Sequence, residues 1–234
     1  MEIRKEIIRM YIDGNDMGYK NNSDWWYRQS DPDAFRIATL DEDYPPEYFK
    51  EDHVSNEVVK NYCNSIIREF ELFTGRKLKS IVEFGSGGGW FTEEFRNRAY
   101  HIIGLEGTKE GLKKCDERGI GRLRLVDFRE PLISWIGKYD IALCTEVAEH
   151  IEPPFSSTLI NSLISYSDII WWSSAEPNVG RPHLHHPNEQ PYQHWINLFK
   201  FYGYEAIRLS DEIFNACEYR GRYMFYNKSK FPQK

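Results

Sequence analysis

A chain of 234 residues is long enough for one sizeable core and a small appendage but too short for two full domains. Hydrophobic residues at 41% and charged residues at 28% exclude disorder for most of the chain. The 30 Lys and Arg against 36 Asp and Glu give a net charge of -6 with no dense basic run, which argues against a nucleic-acid coat protein. Cys63, Cys115, Cys144 and Cys217 stand far apart with no Cys-x-x-Cys pair, so neither a disulfide framework nor a cysteine zinc site is expected, and a reducing, cytoplasmic setting fits. Met1 to Met10 mixes charges among its apolar residues and lacks the continuous apolar core of a leader, and no apolar run approaches the length of a membrane span.

Residues 1–75 are expected to form an N-terminal cap and a lead-in helix. Trp25, Trp26 and Tyr27, then Asp31-Pro32, then Tyr44-Pro45-Pro46 punctuate structure rather than propagate it, and the aromatic triplet reads as core packing ahead of a stacking platform. From Val54 to Phe73 the apolar residues Val58, Val59, Tyr62, Ile66, Ile67, Phe70 and Phe73 recur at three and four, predicting an amphipathic helix that stops at Gly75. Over 76–234 short apolar runs alternate with helical stretches. Strands are expected at 80–84, 101–105, 122–126, 139–144, 168–173, 205–209 and 222–226, and helices at 90–98, 109–117, 132–136, 154–165 and 193–201. That alternation predicts an α/β domain, a doubly wound seven-stranded sheet with helices on both faces.

The strongest local signal is Ile81-Val82-Glu83-Phe84-Gly85-Ser86-Gly87-Gly88-Gly89, a buried strand breaking into glycines before a helix. Glycine there allows positive φ and lets a ligand lie against bare backbone beside helix N-terminal amides; the plain alternative is a flexible turn. Glu106 ends the following strand, where nucleotide-binding folds place a carboxylate on ribose hydroxyls. The run resembles the first motif of the class I S-adenosylmethionine-dependent methyltransferases, E/D-x-G-x-G-x-G, matched by Glu83, Gly85, Gly87 and Gly89; a dinucleotide dehydrogenase would space its glycines as G-x-G-x-x-G. The resemblance covers 79–226 and implies a Rossmann-like methyltransferase fold with S-adenosylmethionine as cofactor. It further implies that Glu83, Gly85, Ser86, Gly87 and Gly89 line the methionine and ribose part, that Glu106 with Gly107 takes the ribose, and that Asp127 and Phe128 take the adenine. Thr145, at the end of the fourth strand, joins this cofactor set. Asp127 has a plain alternative as a turn cap.

The fourth strand runs into Cys144-Thr145-Glu146-Val147-Ala148-Glu149-His150. If this is a helical turn, Glu146 meets Glu149 and His150 on one face. The segment resembles the Glu-x-x-Glu-His of small-RNA terminal 2′-O-methyltransferases and some quinone-pathway O-methyltransferases, where it holds a divalent ion with a distant His. Here that resemblance implies Glu146, Glu149, His150 and His186 as ligands of magnesium, manganese, iron or zinc, and a metal-free acid/base cluster stays open beside it. After the fifth strand, His186, Asn188, Glu189 and Gln190 resemble a His-x-Asn-Glu-Gln segment of the same enzymes, while His183 and His185 are extra.

These readings lead to an expected S-adenosylmethionine-dependent O-methyltransferase acting on a hydroxyl of a small polar acceptor, a sugar or glycan unit, with His150 or His186 as base. A catalytically inert module of the same fold and a metal-dependent RNA-terminal 2′-O-methyltransferase are the alternatives. Small-molecule or glycan substrate, no nucleic acid and no membrane are the partners expected; the oligomeric state is not legible.

Overall fold

The computed structural model describes residues 55–121, 123–134, 137–177, 186–218 and 220–232. The expected N-terminal cap with Trp25, Trp26 and Tyr27 lies outside these residues, as do His183 and His185. The lead-in helix is present as α1 (Asn56–Thr74). Ser55 caps it by accepting the Val58 amide on its hydroxyl, and Gly75 ends it at φ +67° by donating its own amide to the Glu71 carbonyl.

In chain order there follow β1 (Ser80–Phe84), α2 (Trp90–Asn97), β2 (His101–Glu106), α3 (Lys109–Glu117), β3 (Leu123–Leu125), β4 (Ile141–Thr145), α4 (Ser156–Tyr166), β5 (Ile169–Ser173), α5 (Tyr192–Phe201), β6 (Tyr204–Arg208), α6 (Asp211–Ala216) and β7 (Tyr223–Asn227). The strands form a seven-stranded sheet in the order β3-β2-β1-β4-β5-β7-β6, with β7 antiparallel to both of its neighbours. The order reverses between β1 and β4, which makes the C-terminal ends of those two strands the switch point where such folds bind ligands.

Central strands read as unbroken apolar runs because both faces of the sheet are covered. Alternation then sorts their side chains into two layers. Ile81, Ile141, Leu143, Ile169 and Trp171 pack with Val58, Tyr62, Ile66 and Phe70 of α1, Phe91 and Phe95 of α2 and Ile213 of α6. Val82, Phe84, Ala142, Cys144, Ile170 and Trp172 pack with Leu159, Ile160 and Leu163 of α4 and Trp195 and Phe199 of α5. The lead-in helix is thus a layer of the domain core.

Two expectations are corrected. No helix runs through 132–134, where the backbone is irregular and the Leu132 amide donates to the Ser162 hydroxyl; the run was too short and too close to Pro131 to nucleate one. Helix α6 was not foreseen, although Ser210, whose hydroxyl accepts the Ile213 amide, followed by Asp211 and Glu212, is a helix-start signal. Among the described residues no helix is long and apolar enough to cross a membrane.

Ile66 is fully buried between α1 and the sheet. Ile66→Ala should therefore cost about 2–5 kcal/mol of folding stability, read as a lowered urea midpoint with an unchanged slope.

Candidate active site

The glycine turn begins where β1 ends. Gly85, Gly87 and Gly89 take φ values of +76°, +53° and +79°, backbone that only glycine adopts without strain. The Gly85 and Ser86 amides both donate to the Leu105 carbonyl, at 2.8 and 3.1 Å. Glu106 completes the tie: one carboxylate oxygen accepts the Gly87 amide at 2.6 Å, and the other accepts the Thr108 amide at 2.9 Å and its hydroxyl at 2.7 Å. Thr108 in turn caps α3 by accepting the Gly111 amide, and Gly107 is the single residue between these two anchors. A carboxylate offers about four acceptor directions, so the ribose contact expected of Glu106 has to compete with four donors already in place, the Gly107 amide among them.

Two of the expected cofactor residues support the turn from beneath. Glu83 is buried and accepts the Thr92 hydroxyl from the first turn of α2, and Ser86 is buried with its hydroxyl on the Leu105 carbonyl. Burial pushes the Glu83 carboxyl up to about 8; the Thr92 hydrogen bond opposes the shift and the Glu106 charge adds to it. Gly85 owes its identity to a second cause as well. A Cβ there would lie 2.3 Å from Val147 Cγ2, so the glycine turn sits flush against the segment that follows β4.

At the end of β3, Asp127 accepts the Arg129 amide at 2.9 Å and pairs with its guanidinium at 2.8 Å. The Arg129 hydrogen bonds hold its carboxyl below the usual range. Arg129 also lies 3.6 Å from Glu152, so this arginine bridges the β3 end to the segment after β4, a role the sequence reading missed. The Phe128 ring is buried and stacked on Phe84 at 5.6 Å.

The segment after β4 is not one helical face. Glu146 stands in left-handed backbone at φ +54°, and a single 3₁₀ turn, Ala148–His150, follows Val147. The tighter turn changes which side chains meet. Ligand atoms of Glu149, His150 and His186 lie within 4.8 Å of one another, and the His150 and His186 rings meet edge to face at 4.6 Å. Glu146, the fourth expected ligand, is outside that group, but its side chain hydrogen-bonds Glu149 and its charge reaches His186. Burial pushes both Glu carboxyls up. Ser173 and Arg220 offset this at Glu146, whereas the neighbouring Glu146 charge drives Glu149 further. Thr145 is reached from α1, whose buried Tyr62 places its hydroxyl 3.3 Å from the Thr145 hydroxyl; nothing in the spacing of a lead-in helix signalled that contact.

The His-x-Asn-Glu-Gln segment divides its labour. His186 Nδ1 meets Glu189 Oε1 at 2.9 Å, which fixes the ring. Asn188 is buried and donates to the Ala148 and Ile151 carbonyls and the Ser156 hydroxyl, while its own amide donates to the Glu149 carbonyl. Gln190 donates to the Asn188 side-chain oxygen at 3.2 Å. Asn188 thereby seats His186 beside Glu149 and His150.

Two outcomes follow. Asn188→Ala should cost about 1–3 kcal/mol by urea denaturation, because it removes buried hydrogen bonds to the Ala148 and Ile151 carbonyls and the Ser156 hydroxyl. For Glu83, the folded state binds the proton more tightly than the unfolded chain, whose ordinary value is 4.5, so its stabilising contribution is complete below that value and is lost as pH rises toward about 8. Glu83→Gln removes this loss, so the stability difference between variant and wild type should move in the variant's favour from about pH 5 to pH 8, measured by denaturation at several pH values.

Residues 82–159 match the family described as Methyltransferase domain. A ubiquinone biosynthesis O-methyltransferase from Nitrosomonas europaea is 26% identical over 117 residues, 48% of this chain and 47% of the relative. The chain spans about half the length of the curated relatives it matches. Among solved structures, an S-adenosylmethionine-bound amino pentose methyltransferase from Micromonospora echinaspora, involved in calicheamicin biosynthesis, superposes with TM-score 0.57 at 13% identity over 74% of this chain and 92% of that one. The small RNA methyltransferase HEN1 gives TM-score 0.52 at 16% identity over 76% of this chain and 27% of that one. The likeness to these structures is one of fold, and residues 82–159 are similar to the methyltransferase domain family.

Proposed function

We propose that the chain transfers the methyl group of S-adenosylmethionine to a hydroxyl of a small polar acceptor, a sugar or glycan unit. The observation that carries this reading is the close approach of Gly85 to Val147, which sets the cofactor turn against the segment holding Glu149 and His150. A methyl donor on one side of that contact and a cluster of proton-accepting groups on the other is the arrangement in-line transfer to oxygen needs. Transfer converts the sulfonium of the cofactor to a neutral thioether and leaves the acceptor hydroxyl to lose its proton. An aliphatic hydroxyl is a poor nucleophile, so a base within hydrogen-bond reach is required. His186, oriented by Glu189 and seated by Asn188, and His150 are the candidates. Oxygen as the acceptor atom accords with the O-methyltransferase names of the relatives, a sugar with the amino pentose enzyme that shares the fold, and a small acceptor with the net charge of -6.

The same residues fit a divalent ion. Glu149, His150 and His186 supply one oxygen and two imidazole donors, a set suited to manganese, iron or zinc at least as well as magnesium, and Glu149 Oε2 is buried with no hydrogen-bond partner. Bound there, such an ion would lower the pKa of an acceptor hydroxyl. In this reading Glu149, His150 and His186 hold the ion, Glu189 fixes the His186 ring and Glu146 stays a neighbour. Metal-dependent methylation of an RNA end is the second reading, favoured by this cluster and by the fold shared with the small RNA methyltransferase.

Incubation with labelled cofactor and a panel of glycan, quinol and RNA acceptors tests the reading. Turnover is expected on a glycan hydroxyl; turnover confined to RNA would favour the second reading, and label on no acceptor would support an inert module. Chelation and His186→Ala should each lower turnover about 10–100-fold while S-adenosylhomocysteine affinity, read by calorimetry, stays near wild type. Full activity after chelation, with no metal found by elemental analysis, would leave His186 or His150 as a plain base.

A further inference from the structure

Gly88 belongs to neither the three left-handed glycines nor the spacing of the first motif, so its identity needs another cause. Its φ is not positive, but a Cβ there would lie 2.3 Å from the ring of Trp90, the first residue of α2. The indole therefore lies against the Gly88 backbone. On the indole sits Arg118, from the C-terminal end of α3, with its guanidinium carbon 5.2 Å from the ring centroid. Arg118 also donates from one terminal nitrogen to the Gly88 carbonyl at 3.2 Å and from the other to the Glu93 carboxylate of α2. One turn earlier in α3, the Cys115 thiol donates to the Gly87 carbonyl at 3.2 Å.

From this geometry we infer that Arg118 is a positioning residue for the cofactor, acting through Gly88 and Trp90. The glycine turn is held from both ends of α3. At the start of the helix, Glu106, itself held by Thr108, accepts the Gly87 amide. At its end, Cys115 and Arg118 hold the Gly87 and Gly88 carbonyls. Without such ties a run of three consecutive glycines has the largest conformational freedom a chain can have, and a ligand that binds the ordered turn must supply the cost of ordering it. Arg118 satisfies the carbonyl, the indole face and the carboxylate of α2 together because its guanidinium is a planar fork of donors; a lysine ammonium cannot meet all three.

The inference rests on the reading that this turn holds S-adenosylmethionine, and the experiment separates the two. Titration calorimetry with S-adenosylhomocysteine is carried out on wild type, Arg118→Ala, Arg118→Lys and Gly88→Ala, each checked for its thermal midpoint. The expected result is an affinity about tenfold weaker or more in all three variants, with midpoints close to wild type in the two arginine variants, whose side chain is 23% exposed, and lowered in Gly88→Ala, where the displaced indole packs against the core. Gly88→Ala should behave like the arginine variants because its methyl pushes the indole off its seat. Wild-type affinity in Arg118→Ala, or full restoration by lysine, would overturn the inference and leave the cofactor reading standing. A wild-type protein that does not bind S-adenosylhomocysteine would overturn both.

Discussion

The hydrogen bond from the Gly87 amide to the Glu106 carboxylate is the tie on which the site depends. It joins the end of β1 to the end of β2 across the first crossover of the sheet and fixes a turn whose glycines would otherwise sample many conformations. Glu106 is buried, and burial raises its pKa, so its charge is tolerable only because the Gly87 and Thr108 donors face it. The same carboxylate thus anchors the turn and the start of α3. That helix returns at its far end to meet the turn again through Cys115 and Arg118.

The two halves of the site are assembled by packing rather than by chain proximity. β1 and β4 are neighbours at the point where the strand order reverses, so the glycine turn after one and the 3₁₀ turn after the other emerge side by side. Val147 against Gly85 is the contact that registers them. Asn188 donates its amide to the Glu149 carbonyl and its side chain to the Ala148 carbonyl, which ties the segment of His186 to the 3₁₀ turn. Buried acids are costly at such an edge, and the structure offsets the cost with Thr92 at Glu83 and with Ser173 and Arg220 at Glu146. Glu149 keeps one buried oxygen without a hydrogen-bond partner beside two imidazoles.

Much of this was legible in the residues. The apolar runs of β1, β4 and β5 and the three-and-four spacing of α1 gave the layers, because burial on two faces and burial on one leave different periods in a sequence. Gly85, Gly87 and Gly89 announced left-handed backbone, and Glu106 stood where a strand-end acid was due. The ligand-type residues after β4 and β5 were also named in advance, and three of the four came together.

What failed did so where a local rule met a tertiary constraint. Glu146 is expected on one helical face with Glu149 and His150, but it stands at positive φ before a 3₁₀ turn and meets the group through the Glu149 side chain, and no spacing rule distinguishes an α turn from a 3₁₀ turn over four residues. Tyr62 to Thr145, Asn188 to the 3₁₀ turn and Arg118 to Gly88 join residues 83, about 40 and 30 positions apart. The sequence by itself determined the periodicities, the breaks and the chemical types at the strand ends, since these are properties of neighbours along the chain. Only the tertiary structure decided which of those groups touch, because a contact between distant segments depends on sheet order and packing, and neither leaves a mark on any one stretch of residues.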